Sequence, residues 1–145
     1  FPELSVTGYT CADLFFQAPL LHAAEQAIQE IAEATKALNI FLLIGAPIAV
    51  DNQMFNCAVA LYKGKLLGIV PKTHIPNYSE FYEERWFASA DDLLTEAITY
   101  AGQNVPIGAD LIFAAADFPA LKIGTRIVIP KDKLKEGVDK NVEGK

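Results

Sequence analysis

Only two cysteines, Cys11 and Cys57, occur among the 145 residues. Two thiols are too few for a disulfide framework, and a reduced, cytoplasmic setting suits them best. No apolar run approaches the ~20 residues of a membrane-spanning helix. The longest, residues 40–50, contains Gly45 and Pro47 and reads as a buried strand. The chain opens on Phe1 rather than methionine and shows no basic segment followed by an apolar one. That pattern predicts no signal peptide at this point, and a segment upstream of it. Basic charge is scarce: 12 Lys and Arg stand against 18 Asp and Glu, a net charge of −6. This balance argues against nucleic acid as a partner. The acidic groups are dispersed, which marks solubility rather than a partner. The two histidines, His22 and His74, have no metal-ligand partner at useful spacing. A glycine-rich phosphate loop is missing too, so nothing supports ATP binding by this chain.

What remains is the composition of a globular domain, 52% hydrophobic and 21% charged. The length suits one domain or part of a larger one. Pro19 sits where a first helical turn tolerates it. Beyond it Leu20, Ala24, Ala27, Ile28, Ile31 and Leu38 fall on one helical face, with Asn39 as the cap. The continuous apolar stretch 40–44 predicts a strand buried on both faces. Further strands are predicted at 55–62 and 66–70, joined by a Lys63-Gly64-Lys65 turn whose glycine supplies positive φ. Residues 71–87, PKTHIPNYSEFYEERWF, are dense in aromatics and charge. Pro71 and Pro76 keep the first half irregular, and Ser79 is placed to cap a short helix over 79–83. Weaker strands are predicted at 97–100, 111–114 and 121–129. From Lys131 charge and glycine dominate, and the tail reads as mobile.

Two side chains stand where α/β folds hold reacting groups. Glu3 reads as the carboxylate at a buried strand's end, where desolvation would raise it toward a working general base. Position alone favours a solvated glutamate near a chain end. Lys72 follows the Ile-Val-Pro end of a strand and could stabilise a developing oxyanion, although an exposed loop lysine is the commoner case. Glu80, Glu83 and Glu84 could pair with Lys72 or Arg85, or simply form a solvated face. Tyr78, Tyr82 and Trp86 read as pocket lining or, more commonly, as anchors of the loop. A nucleophilic cysteine wants partial exposure and an electropositive setting. Cys57, inside an apolar strand, reads as an inert small hydrophobe. Cys11 is less distinct, and packing is favoured for both.

Together, FPELSVTGYTCADLF, FNCAVALYKGKLLGIVPKTHIPNYSEFYEERWF, AGQNVPIGADLIF and ADFPALKIG resemble a known family. It is the nitrilase-type, glutamine-amide-hydrolysing domain of bacterial glutamine-dependent NAD+ synthetases, matched over residues 1–124. Phe-Pro-Glu alone would indicate only the wider carbon-nitrogen hydrolase superfamily; GYTCADLF and PNYSEFYEERWF specify the synthetase branch. The resemblance implies an α/β fold, a nitrilase-like α-β-β-α sandwich incomplete at both ends, with residues 125–145 as a divergent, mobile tail. It implies that Glu3 is the general base, Lys72 the oxyanion-stabilising lysine and Glu83 a further carboxylate of the site. Tyr9 and Tyr78 match residues around the glutamine pocket.

In that family a cysteine thiolate attacks the glutamine amide, ammonia leaves, and water frees glutamate from the thioester. The ammonia reaches a synthetase domain that uses ATP and Mg2+ to amidate nicotinic acid adenine dinucleotide. No cofactor is implied for the glutaminase domain itself. The partners implied are glutamine, the synthetase domain and further copies of the chain in a homo-oligomer. The family's nucleophile lies in a Gly-Val-Glu-Ile-Cys-Glu-Asp pattern just after Leu-Lys-Ile-Gly. Here the chain reads Gly124-Thr125-Arg126-Ile127-Val128-Ile129-Pro130, with Val128 in the cysteine's place and Arg126 in a glutamate's. Valine forms no thioester, so the chain alone is expected to be inactive. Two other readings stay open: a stand-alone carbon-nitrogen hydrolase acting on a small amide, and a non-catalytic nitrilase-like protein for binding or assembly.

Overall fold

The computed structural model describes residues 1–113, 121–123 and 126–128. Helix α1 is Ala18–Thr35, followed by strands β1 (Phe41–Val50), β2 (Gln53–Tyr62), β3 (Lys65–Pro71), β4 (Ala97–Tyr100), β5 (Gln103–Pro106), β6 (Leu121–Ile123) and β7 (Arg126–Val128). The chain divides into two units, Phe1–Ala109 and Asp110–Lys145. Among the described residues no helix is long and apolar enough to cross a membrane.

In the first unit β1, β2 and β3 form an antiparallel sheet in that order. Its two hairpins close through two-residue turns, Asp51-Asn52 with φ of 53° and 60°, and Lys63-Gly64 with φ of 48° and 77°. Left-handed conformation at both central positions matches the twist of the flanking strands. The predicted Gly64 turn is therefore present, and β1 runs beyond the predicted 40–44 through Gly45 and Pro47. Proline is tolerated there because, among the described residues, β1 ladders with β2 alone.

Alternation gives the sheet two unlike faces. On one, Ile44, Ala46, Ile48 and Val50 meet Phe55, Cys57, Val59 and Leu61, and pack with Ile28 and Ala32 of α1 and Val105 of β5. On the other, the opposed pairs are Leu43 with Ala60, Gly45 with Ala58, Pro47 with Asn56 and Ala49 with Met54. Small side chains there leave room for other groups to approach the sheet.

Several expectations need correction. Helix α1 stops at Thr35, so Leu38 lies beyond it and is exposed, while Ala32 is buried in its stead. Asn39 caps nothing; its Oδ1 accepts from the Tyr62 hydroxyl at 2.6 Å. Ser79 takes a φ of 55°, which breaks any helix over 79–83, and only the turn Glu83–Arg85 is helical. Strand β5, absent from the sequence reading, pairs with β4 across Ala101-Gly102, and Ile107 just past it bridges in parallel to Ile69 of β3.

In the second unit the single strand predicted at 121–129 is a hairpin, with Leu121 opposite Val128 and Ile123 opposite Arg126. Residues 111–113 form no strand, and residue 114 lies outside the described residues. The predicted tail from residue 125 also lies outside them, apart from the backbone of Arg126–Val128.

Candidate functional site

Glu3 reaches the sheet because the residues around it are tied to β1. The Phe1 nitrogen donates to the Leu43 carbonyl at 3.0 Å and the Val6 amide to the Gly45 carbonyl at 3.2 Å. The Gly45 amide donates to Ser5 Oγ at 3.1 Å. A Cβ on Gly45 would lie 2.6 Å from the Pro2 carbonyl oxygen and 2.8 Å from the Glu3 carbonyl carbon. Only a glycine admits the chain this closely. Leu4, fully buried, anchors the segment in a second core with Phe15, Met54 and Phe87.

Lys72 follows β3. Its amide donates to the Asn56 carbonyl at 2.8 Å, and its carbonyl accepts from the Ala90 amide at 3.0 Å. Glu83 comes from the Glu83–Arg85 turn, held by its amide on the Pro76 carbonyl at 3.2 Å and by the Phe87 amide on its own carbonyl at 2.8 Å. The Lys72 ammonium reaches both carboxylates: Glu3 Oε1 at 3.0 Å and Oε2 at 3.1 Å, Glu83 Oε2 at 3.0 Å and Oε1 at 3.2 Å. The Tyr9 hydroxyl donates to Glu83 Oε1 at 2.6 Å, and Asn56 Nδ2 donates to Glu3 Oε2 at 3.3 Å.

The three charged groups differ in exposure, and that separates their roles. The Glu83 side chain is 2% exposed, Lys72 24% and Glu3 52%. Burial pulls the Lys72 pKa down, but hydrogen bonds and attraction from Glu3 and Glu83 outweigh it, so the lysine stays charged above its usual range. Tyr9 is pushed well above a free phenol by burial, then by its bond to Glu83 and the charges of Glu83 and Glu3. Lysine and tyrosine are thus both donors, and Glu83 accepts from both. Glu3 is the carboxylate with room for a further contact. A cation beside an accessible proton acceptor suits an addition that develops negative charge on oxygen.

Of the sequence-predicted residues, Glu3, Tyr9, Lys72 and Glu83 come together. Tyr78 does not join them; it is 69% exposed, with its ring edge-on to Phe81 at 5.7 Å. Glu84 accepts from Asn77, and Arg85 pairs outside its own loop with Asp13, at 2.8 Å and 2.9 Å. Trp86 Nε1 donates to the same Asp13 carboxylate at 3.0 Å. Cys57 is buried, which pushes its thiol well above the ordinary range, away from thiolate. The Cys11 thiol donates to the Thr7 carbonyl at 3.2 Å. The sequence reading missed Asn56, although a lone amide inside the apolar run FNCAVAL is itself a signal, since a buried amide needs a partner.

Residues 1–131 match the family model described as carbon-nitrogen hydrolase. Curated relatives include the glutamine-dependent NAD(+) synthetase of Mycobacterium tuberculosis (strain ATCC 25618 / H37Rv), 38% identical over 127 residues, which are 88% of this chain and 19% of the relative. The Thermotoga maritima enzyme of the same name is 31% identical over 124 residues, 86% of this chain and 21% of the relative. The chain spans about a fifth of the length of these relatives. Among solved structures, a glutamine-dependent NAD(+) synthetase from Cytophaga hutchinsonii superposes with a TM-score of 0.72 at 29% identity, covering 80% of this chain and 20% of that one. The Acinetobacter baumannii enzyme in complex with ADP gives 0.57 at 30% identity, over 72% and 19%. The α/β fold is thus of the nitrilase-like kind expected from the sequence.

Proposed function

Because the chain belongs to the carbon-nitrogen hydrolase family, we propose that it is part of the glutamine-amide-hydrolysing portion of a glutamine-dependent NAD+ synthetase. The observation that carries this reading is one lysine ammonium held at once by an open carboxylate and a buried one. Amide hydrolysis through a tetrahedral intermediate needs a proton acceptor and a cation for the oxyanion. Glu3 suits the first role and Lys72 the second. Glu83, shared with Tyr9, holds the lysine in place and in charge.

Acyl transfer also needs a nucleophile, and the position that resembles the family's cysteine is Val128. Cys57 is buried and protonated, and the Cys11 thiol is turned onto the Thr7 carbonyl. On this reading the chain binds glutamine without turning it over. Amidation of nicotinic acid adenine dinucleotide with ATP and Mg2+ would fall to a synthetase portion, in a cytoplasmic homo-oligomer. Among the described residues no three His, Cys, Asp or Glu side chains gather as metal ligands. On this reading Mg2+ belongs with the synthetase portion, and no step of the hydrolysis is routed through it.

Calorimetric titration with glutamine, beside an assay of ammonia release, tests the proposal. Saturable binding without ammonia is expected, weakened about tenfold in Lys72→Gln, the loss of one charge-assisted hydrogen bond. Absence of glutamine binding by the folded chain would overturn it. Ammonia release would mean that another group replaces the cysteine, and Cys11→Ala would be the next variant.

A further inference from the structure

Asn56 lies mid-strand in β2 and is 3% exposed, on the small-residue face of the sheet. Its two halves do different work. The side-chain Nδ2 donates to Glu3 Oε2 at 3.3 Å, while the main-chain carbonyl accepts from the Lys72 amide at 2.8 Å. Among the described residues, the partners of the Glu3 carboxylate are the Lys72 ammonium and this amide. The ammonium stands almost equally far from both carboxylate oxygens, 3.0 Å and 3.1 Å, so it does not select between them. The amide does, by engaging Oε2.

We infer that Asn56 is a positioning residue of the site: its amide orients the Glu3 carboxylate against the Lys72 ammonium and leaves Oε1 as the oxygen open to a proton. What that oriented pair is used for rests on the function proposed above; the orientation does not. The strand makes the arrangement rigid. Asn56 is opposed to Pro47 on one side, and β3 leads into Lys72 on the other. Glu3 itself sits on a loop with a half-exposed side chain, so the strand residue supplies the order that the loop lacks.

The test is a double-variant cycle read at the Lys72 ammonium by NMR of the full chain with labelled lysine. Asn56→Leu keeps the volume and the main-chain bond while removing the donor. The expected result is severalfold faster hydrogen exchange at the Lys72 ammonium, as Glu3 swings away. In a Glu3→Ala background, which has no side-chain acceptor, the same Asn56→Leu change should then make no further difference. An equal acceleration in both backgrounds would mean that Asn56 acts through the strand alone, and would overturn the inference. So would no acceleration in either. Asn56→Ser runs the same cycle if the leucine variant folds poorly. Neither readout involves glutamine, so this result stands apart from failure of glutamine to bind.

Discussion

The backbone of Leu4 occupies the space in which a side chain on Gly45 would stand. The contact brings Glu3 onto the sheet, and it depends on one missing methyl group. Gly45→Ala is expected to destabilise the chain by about 1–3 kcal/mol, the usual range for overpacking. Urea unfolding measures this. A change under about 0.5 kcal/mol, typical of a surface site, would show that residues 2–4 are not seated there.

Lys72→Met leaves the Glu83 carboxylate, 2% exposed, without its cation. Breaking a buried pair from one side costs about 3–5 kcal/mol, and the partial exposure of Lys72 puts this case near the lower end. The double variant Lys72→Met/Glu83→Gln removes the stranded charge and should regain much of the loss. Thermal melts decide between the two. A double variant no more stable than the single one would mean that Glu83 does not depend on the lysine.

The same groups contribute to the alkaline limit, beside Cys57 and Tyr100, whose protons burial also holds more tightly. Lys72 and Tyr9 both hold their protons more tightly folded than at their ordinary values of 10.5 and 10.0. A raised folded pKa contributes stability that is complete below the unfolded value and is lost as pH rises through the folded one. Stability should therefore fall with increasing pH above about 10, and Tyr9→Phe should flatten that fall. Unfolding free energies from pH 8 to 11 give the slope; an unchanged slope in Tyr9→Phe would rule out its part.

At the acidic end the exposed Asp13 makes a small, solvent-screened contribution. Hydrogen bonds from Arg85, then from Trp86, hold its carboxyl far below the usual range. A depressed folded pKa contributes stability that is present above the unfolded value and is lost as pH falls through the folded one. Trp86 is the chain's sole tryptophan, so its fluorescence reports the clasp directly. Emission should change on acidification in the native chain and stay flat in Asp13→Asn. The same acid response in both would place the change elsewhere.

Local order was legible in the sequence. The apolar period of α1 and the Lys63-Gly64 turn depend on neighbours a few residues apart, and both appear in the structure. Glu3, Lys72 and Glu83 were singled out through a family resemblance; by position alone Glu3 and Lys72 read as ordinary solvated residues. Strand β5 was missed because QNVP carries a proline and two polar residues, and its strand form comes from pairing with β4.

What the sequence by itself determined is therefore local: helix α1, strands β1 to β4 and the Lys63-Gly64 turn. Tertiary structure alone decided which groups meet. Tyr9 reaches Glu83 across 74 residues and Asn56 reaches Glu3 across 53. It also decided that Tyr78 stays apart from them, edge-on to Phe81. Contacts of that span have no local period to betray them, because they are set by how the N-terminal segment and the 76–88 loop close over one sheet, not by either segment's own pattern.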